Sequence, residues 1–223
     1  MRRHDITRLE GFSDAVFGFA LTLLVVSLEV PRSYDQLMDV MSGFPSFFCC
    51  FALLLWIWHE HNMFFRRYGL QDGVTVIING ALLFMVLFYV YPLKFMFDSL
   101  FVRFIPSRHP PVEMALYQLA NSSAVYASGF ILMMLMFVLL YWRAYTKREE
   151  LGLSELEVFD LRSMAGHHAV SATVGCLALA MALFAPLNLA PLSPATMSLM
   201  GPGHALWGMR TGKKRKALET KPA

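Results

Sequence analysis

Charge is what this sequence has least of. Asp, Glu, Lys and Arg make up only 16% of its 223 residues, where a soluble domain carries about a quarter. That shortfall excludes an ordinary water-soluble globular domain. Cysteine is also scarce: Cys49, Cys50 and Cys176 are the three, and all fall inside apolar stretches. They are expected as packed thiols rather than as a disulfide framework, and they leave the redox compartment open. No low-complexity tract and no separate soluble domain interrupt the chain. There is no H-E-x-x-H and no nucleophile set beside a base, so the chain is read as a non-enzyme.

What fills the sequence instead is apolar: 57% hydrophobic, 14% aromatic, with a mean hydropathy of +0.50. Six long apolar blocks run over about 11–30, 44–64, 74–100, 119–142, 164–185 and 190–208, each near the roughly 20 residues that span a bilayer. The last is the weakest, being interrupted by Pro191, Pro194, Gly201, Pro202 and Gly203. The expected fold class is therefore all-α, an integral membrane six-helix bundle. The first block exceeds a signal-peptide core and lacks a small-residue cleavage site after it, so it is read as a retained span.

Lysine and arginine set the orientation. One alternating set of loops holds Arg2, Arg3, Arg8, Arg66, Arg67, Arg143, Lys147, Arg148, Arg162, Arg210, Lys213, Lys214, Arg215, Lys216 and Lys221. The other holds only Arg32, Arg103 and Arg108, with Lys94 inside the third block. By the positive-inside rule both termini face the cytoplasm, and a plasma-membrane location is expected. The run "KKRK" at 213–216 is read as an orientation signal, not as a nucleic-acid site. One six-span membrane domain, 1–210, is expected, with a basic cytosolic tail over 211–223.

Local signals place the elements. Thr7 followed by Glu10 fits a capping box, and Pro31 closes the first helix. Gly69 is a stop for the second block, and Pro92 is expected to kink the third. The segment 103–113, "RFIPSRHPPVE", reads as an extracellular loop. In the polar stretch 146–163, "LSELEVFDL" reads as an amphipathic turn or two on the membrane surface.

The first block, "RLEGFSDAVFGFALTLLVVSLEV" (8–30), opens with charged and polar residues. At about 100° per residue, Phe12, Phe19, Leu23, Val26 and Val30 fall within roughly 20–40° of one line, with Thr22 about 60° aside. Asp14 and Ser13 lie well away from that line, so the polar pair and the apolar stripe face different surroundings. Gly18, one turn above Asp14, would let another helix approach closely. Asp14 either marks a functional site at membrane depth or lies near enough to the surface to be solvated. The stripe either packs in a bundle, meets lipid, or lines a pore. The histidines His59, His61, His167, His168 and His204 invite a metal or haem reading. Neighbours two apart or adjacent diverge around a helix and do not chelate from one face, so satisfied interfacial histidines are expected, with no metal and no cofactor. The fifteen methionines suit flexible packing.

The pattern Arg8-x-x-x-Phe12-Ser13-Asp14 resembles the R-x-x-x-F-S-D signature of the transmembrane protein 175 family, potassium channels with six-span relatives in bacteria and archaea. The following "AVFGFALTLLVVSLEVP" is similar to that family's first span, as are the Trp58 and His61 pattern and the Asn79 and Pro92 pattern. Asn62 replaces the family's second histidine, and Phe19 stands where isoleucine is usual. The resemblance covers roughly residues 7 to 95. It implies a homotetramer in the lipid bilayer that passes potassium ions through a pore formed by the first helices. It implies a hydrophobic constriction at Phe19, Leu23 and Val26, with the Thr22 hydroxyl beside it, and no carbonyl filter of the T-V-G-Y-G kind. Arg8, Phe12, Ser13 and Asp14 would form a structural lock with Trp58, His61 and Asn79, although Arg8 could instead edge the cytosolic mouth. The alternative is a proton-coupled secondary transporter that uses Asp14 and the membrane histidines.

Overall fold

The computed structural model describes residues 6–28, 30–101 and 114–219. The expected extracellular loop 103–113, and Arg2, Arg3, Arg103, Arg108 and Lys221 of the charge count, lie outside the described residues. The described residues are helical, without strands: α1 (Arg8–Val26), α2 (Tyr34–Ser42), α3 (Phe44–Tyr68), α4 (Gly73–Phe101), α5 (Leu116–Thr146), α6 (Glu155–Phe184), a 3-10 segment (Ala190–Leu199) and α7 (Met200–Glu219).

The expected punctuation forms. The Thr7 hydroxyl accepts from the Glu10 amide and Glu10 reaches back to the Thr7 amide at 2.7 Å, closing the capping box of α1. Gly69 ends α3 at φ 58°, where a side chain would be strained. Ser154 and Glu157 cap α6 in the same reciprocal way. That cap makes "LSELEVFDL" the opening turns of α6 instead of a separate surface helix. α4 is assigned as one helix through Pro92.

The sixth block departs from expectation. Pro191 and Pro194 remove amide donors that an α-helix needs, and the chain winds as a 3-10 segment up to Leu199 before α7 begins. α7 then runs to Glu219, so Lys213, Lys214, Arg215 and Lys216 lie on a helix. By length and apolar character α1, α4, α5 and α6 qualify as membrane spans, and α2 with α3, bent by 45°, makes a fifth.

α1 packs on α3 and α4, α4 on α5, and α5 on α6, against which the 3-10 segment and α7 also lie. Small residues make the closest seats. Gly175, Ala172, Ala178 and Ala182 line the buried face of α6, so α5 comes near enough that a Cβ on Gly175 would stand 2.8 Å from Ile131. This is the small-residue packing of helices that have no hydrophobic drive between them in lipid. Met133 and Met134 are wholly buried, as is Cys50, whereas Cys176 sits on the outer face, contrary to the expectation of a packed thiol.

Ion pairs tie helix ends at one end of the bundle. Asp160 of α6 accepts from Arg67 at the end of α3 (3.0 Å) and from Arg215 of α7 (2.9 Å). Asp72, just before α4, accepts from Arg143 of α5 (2.7 Å) and from the Thr75 hydroxyl (2.6 Å). Partial burial alone would raise the Asp72 carboxyl, but the Arg143 and Thr75 hydrogen bonds outweigh it and hold the carboxyl at about 2. A depressed carboxyl stabilises the fold above the ordinary range near pH 4, and that contribution fades as pH falls to about 2. For a partly exposed pair it is worth about 1 kcal/mol or less.

The tightest seat between α4 and α5 generates a test. A Cβ on Gly129 would lie 2.4 Å from the Tyr89 ring, which is buried and fixed by its hydroxyl donating to the Tyr126 carbonyl at 2.6 Å. Gly129→Ala is expected to lose about 1–3 kcal/mol, read as a lowered melting temperature in detergent. Gly80→Ala, with nothing within 4 Å, should hold or gain by up to about 1 kcal/mol from helix propensity.

Candidate functional site: the two faces of α1

α1 presents two unlike faces. Ser13, Phe17, Ala20 and Leu24 recur at helical spacing and are buried against α3 and α4. The opposite face is open: Phe12 is 61% exposed, Phe19 55% and Val26 71%, with Thr22 among them. Leu23 lies half-buried on the flank. The Thr22 hydroxyl donates to the Gly18 carbonyl at 2.9 Å, leaving its oxygen lone pairs facing outward. A Cβ on Gly18, expected beneath an approaching helix, would meet nothing within 4 Å among the described residues.

The buried face carries a continuous hydrogen-bond chain. The Ser13 hydroxyl donates to the Leu9 carbonyl (2.8 Å) and accepts from the Asn79 amide nitrogen of α4 (2.9 Å). The Asn79 amide oxygen lies 2.7 Å from His61 Nε2 of α3. Because Asn79 spends its N–H on Ser13, its oxygen must accept, so His61 donates from Nε2. Phe17 and Phe65 flank the His61 ring, with centroids 5.4 and 4.5 Å away. Ser13, His61 and Asn79 are all buried. In so dry a place each partner left unpaired costs about 1–3 kcal/mol.

A second bond lies at the edge of the same face. The Trp58 indole N–H donates to Asp14 Oδ1 at 2.8 Å, joining α3 to α1. Beside it a cavity of about 150 Å³ is lined by Ile6, Glu10, Asp14, His61, Asn62 and Arg66. Of the residues grouped by motif, the structure thus brings Ser13, Asp14, Trp58, His61 and Asn79 together. Arg8 and Phe12 stay exposed, and among the described residues Arg8 bonds to no other side chain.

One contact was not anticipated from the motif. Lys94 Nζ of α4 donates to the Ser27 carbonyl at 3.1 Å, at the C-cap of α1. A cation at a helix C-terminus meets the negative end of its dipole and a free carbonyl. The signal was present, as a lone lysine inside an apolar block, but its partner is remote in sequence.

The histidines separate as their spacing implied, though not all are satisfied. His167 and His204 stack at 3.7 Å, and His204 Nε2 lies 3.0 Å from the Ser171 hydroxyl. His168 is buried with both ring nitrogens unpartnered, which corrects the expectation of satisfied interfacial histidines. It lies under the rings of Phe137 and Tyr141, and among the described residues no group is within hydrogen-bond distance of it.

Comparison with known proteins places this geometry. The sequence pattern of the family described as "Endosomal/lysosomal potassium channel TMEM175" matches residues 8–89, which contain every member of the hydrogen-bond chain. A potassium channel of Marivirga tractuosa is 35% identical over 227 residues, covering 95% of this chain and 90% of its own. A potassium channel of Chamaesiphon minutus is 29% identical over 147 residues, covering 62% of this chain and 66% of its own. A crystal structure of a variant of the potassium channel MtTMEM175, bound to a nanobody–MBP fusion, aligns with a TM-score of 0.84 at 35% identity. That alignment covers 95% of this chain and 96% of the other. A lysosomal potassium-selective channel TMEM175 homologue from Chamaesiphon minutus shares the fold, with a TM-score of 0.59 at 24% identity over 92% of this chain and 96% of its own. Signature residues, sequence and fold agree, and the chain belongs to the TMEM175 family.

Proposed function

We propose that this protein is a membrane potassium channel in which α1 of each of four identical subunits lines a central pore. The observation that carries the reading is the two-faced α1. Its inner face is sealed and hydrogen-bonded, while Phe12, Phe19, Thr22 and Val26 stand open on the other side of the single chain. Four such faces around one axis give rings of apolar side chains, which restrict ions by dewetting and close fit. Phe19, Leu23 and Val26 form the constriction, Leu23 from the flank, and the Thr22 hydroxyl oxygen is the polar group an incompletely hydrated potassium ion meets. Both termini are cytoplasmic, in a plasma membrane. The 3-10 segment supplies roughly 20 Å and the apolar start of α7 roughly 15 Å, enough together for a sixth crossing of a core about 30 Å thick.

In this scheme Ser13, Asp14, Trp58, His61 and Asn79 do not touch the ion. They set the angle at which α1 leans into the pore, and Arg8 stands at the cytosolic mouth. Asp14 is engaged by Trp58, which favours a positioning part over the proton relay of a carrier.

Purified protein in liposomes with a potassium gradient tests the pore. Sustained downhill potassium flux is expected, whereas flux that saturates and couples to protons would establish a carrier. Phe19→Ala and Leu23→Ala should each raise flux or loosen preference for potassium over sodium, and unchanged flux in both would remove α1 from the pore. For the positioning network, Asn79→Ala leaves His61 without its acceptor and Ser13 held by the Leu9 carbonyl alone, and is expected to cost about 1–3 kcal/mol, seen as a lower melting temperature. Asp14→Ala should reduce the tetramer fraction in detergent more than it alters ion preference, and Asp14→Asn, which keeps an acceptor for Trp58, should do less.

A further inference from the structure

On the flank of α3 turned away from α1, Glu60 and His168 face each other, with the Trp56 side chain also against the Glu60 carboxylate. Glu60 Oε2 lies 3.6 Å from His168 Nε2, beyond hydrogen-bond reach, and the side chains are 14% and 0% exposed. Neither Glu60 Oε2 nor either nitrogen of His168 has a partner. The imidazole is covered by Phe137 at 4.7 Å and Tyr141 at 5.5 Å from α5. The other titratable groups around the pair are His59 and Tyr68 on α3, Tyr141 on α5, His167 on α6, and His204 of α7, which stacks on His167. Arg67, two turns further along α3, is spent on Asp160. Two ligands make no metal site, and among the described residues no three His, Cys, Asp or Glu side chains converge on one point.

An ionised Glu60 beside a neutral His168 is a buried negative charge without a counter-ion, which is costly. One added proton makes the pair neutral, whichever atom carries it. It also guarantees a donor between the two facing atoms, which a neutral imidazole supplies only when Nε2 carries its hydrogen. We propose that Glu60 and His168 form a shared site for one proton, a titratable clamp between α3 and α6. The proton comes from solvent and forms one O–H or N–H bond, with no other bond broken. With the proton in place the gap closes to a charge-assisted hydrogen bond of about 2.7–2.9 Å. Without it, the polar tie between α3 and α6 at this level is weaker, and the two groups titrate as a unit.

The position of the clamp connects it to α1. Glu60 lies on α3 between Trp58 and His61, whose bonds run to Asp14 of α1 and Asn79 of α4. Acidification closes the clamp and steadies the helix that holds α1. This link to ion flow rests on the reading of α1 as the pore helix, whereas the proton site does not.

The test is the full-length tetramer in lipid nanodiscs with ¹³C-labelled histidine, titrated between about pH 5 and 8. It is run in a His59→Gln background to remove the other histidine beside Glu60. The ring signal missing from His168→Gln is expected to change with one midpoint, and Glu60→Gln should abolish that change or lower the midpoint by roughly one pH unit or more. If His168→Gln does not assemble, the Glu60→Gln comparison still decides, because one histidine signal must lose or shift its titration. Histidine signals that titrate identically with and without Glu60 overturn the site. Potassium flux in liposomes is then expected to vary over the same pH range in the wild type and not in Glu60→Gln. Flux equally pH-dependent in both overturns the link to ion flow. Phe19 and Leu23 variants that leave flux unchanged overturn the pore reading while the histidine titration stands.

Discussion

The Asn79 amide is the joint on which the placement of α1 depends. One side chain on α4 satisfies Ser13 of α1 with its N–H and His61 of α3 with its oxygen, at 2.9 and 2.7 Å. It has no freedom to serve one without the other, so three helices are held in a single register. The bonds are buried, and no water competes to replace them. α1 needs this because half of it lacks support: its sealed face is one stripe of four residues, and the other face is largely exposed among the described residues. Trp58 to Asp14 fixes the same end, and Lys94 on the Ser27 carbonyl fixes the far one. α1 is thus pinned by directional bonds near both ends, with apolar packing between them.

The remainder of the bundle is a platform for that joint. α4 carries both Asn79 and Lys94, and its own position is set by the Tyr89 ring seated on Gly129 and by the Asp72 to Arg143 pair at its start. α5 and α6 lie close because α6 offers small residues where α5 offers Ile131 and Phe130. Asp160 gathers the ends of α3 and α7 through two arginines. α3 therefore has bonds on both flanks: those to α1 and α4 on one, and Glu60 facing His168 on the other. A change on the second flank has a short mechanical path to the first.

Much of this was legible before the fold was known, for identifiable reasons. The Thr7 and Glu10 cap and the Gly69 stop depend on residues close in sequence, whose geometry is local. The separation of Phe19 and Val26 from Ser13 follows from helical pitch alone. Where propensity and composition disagreed, reading by block failed. Residues 190–208 are apolar enough for a span, yet Pro191 and Pro194 remove the amides an α-helix requires, and a 3-10 segment results. "LSELEVFDL" looked like a surface element because its polarity was weighed without the capping box that fuses it to α6.

Sequence by itself determined the class of the protein, since a chain with so little charge and such long apolar blocks buries its backbone polarity in helices within lipid. It also determined the two faces of α1, since pitch is a property of the helix. The R-x-x-x-F-S-D motif pointed to the partners Trp58, His61 and Asn79, but not to how they connect. Tertiary structure alone decided that Asn79 stands between Ser13 and His61, that Lys94 meets the end of α1, and that His168 is left facing Glu60. Those pairings join residues from 18 to 108 positions apart, and only the packing of helices sets which polar atoms come within 4 Å of one another.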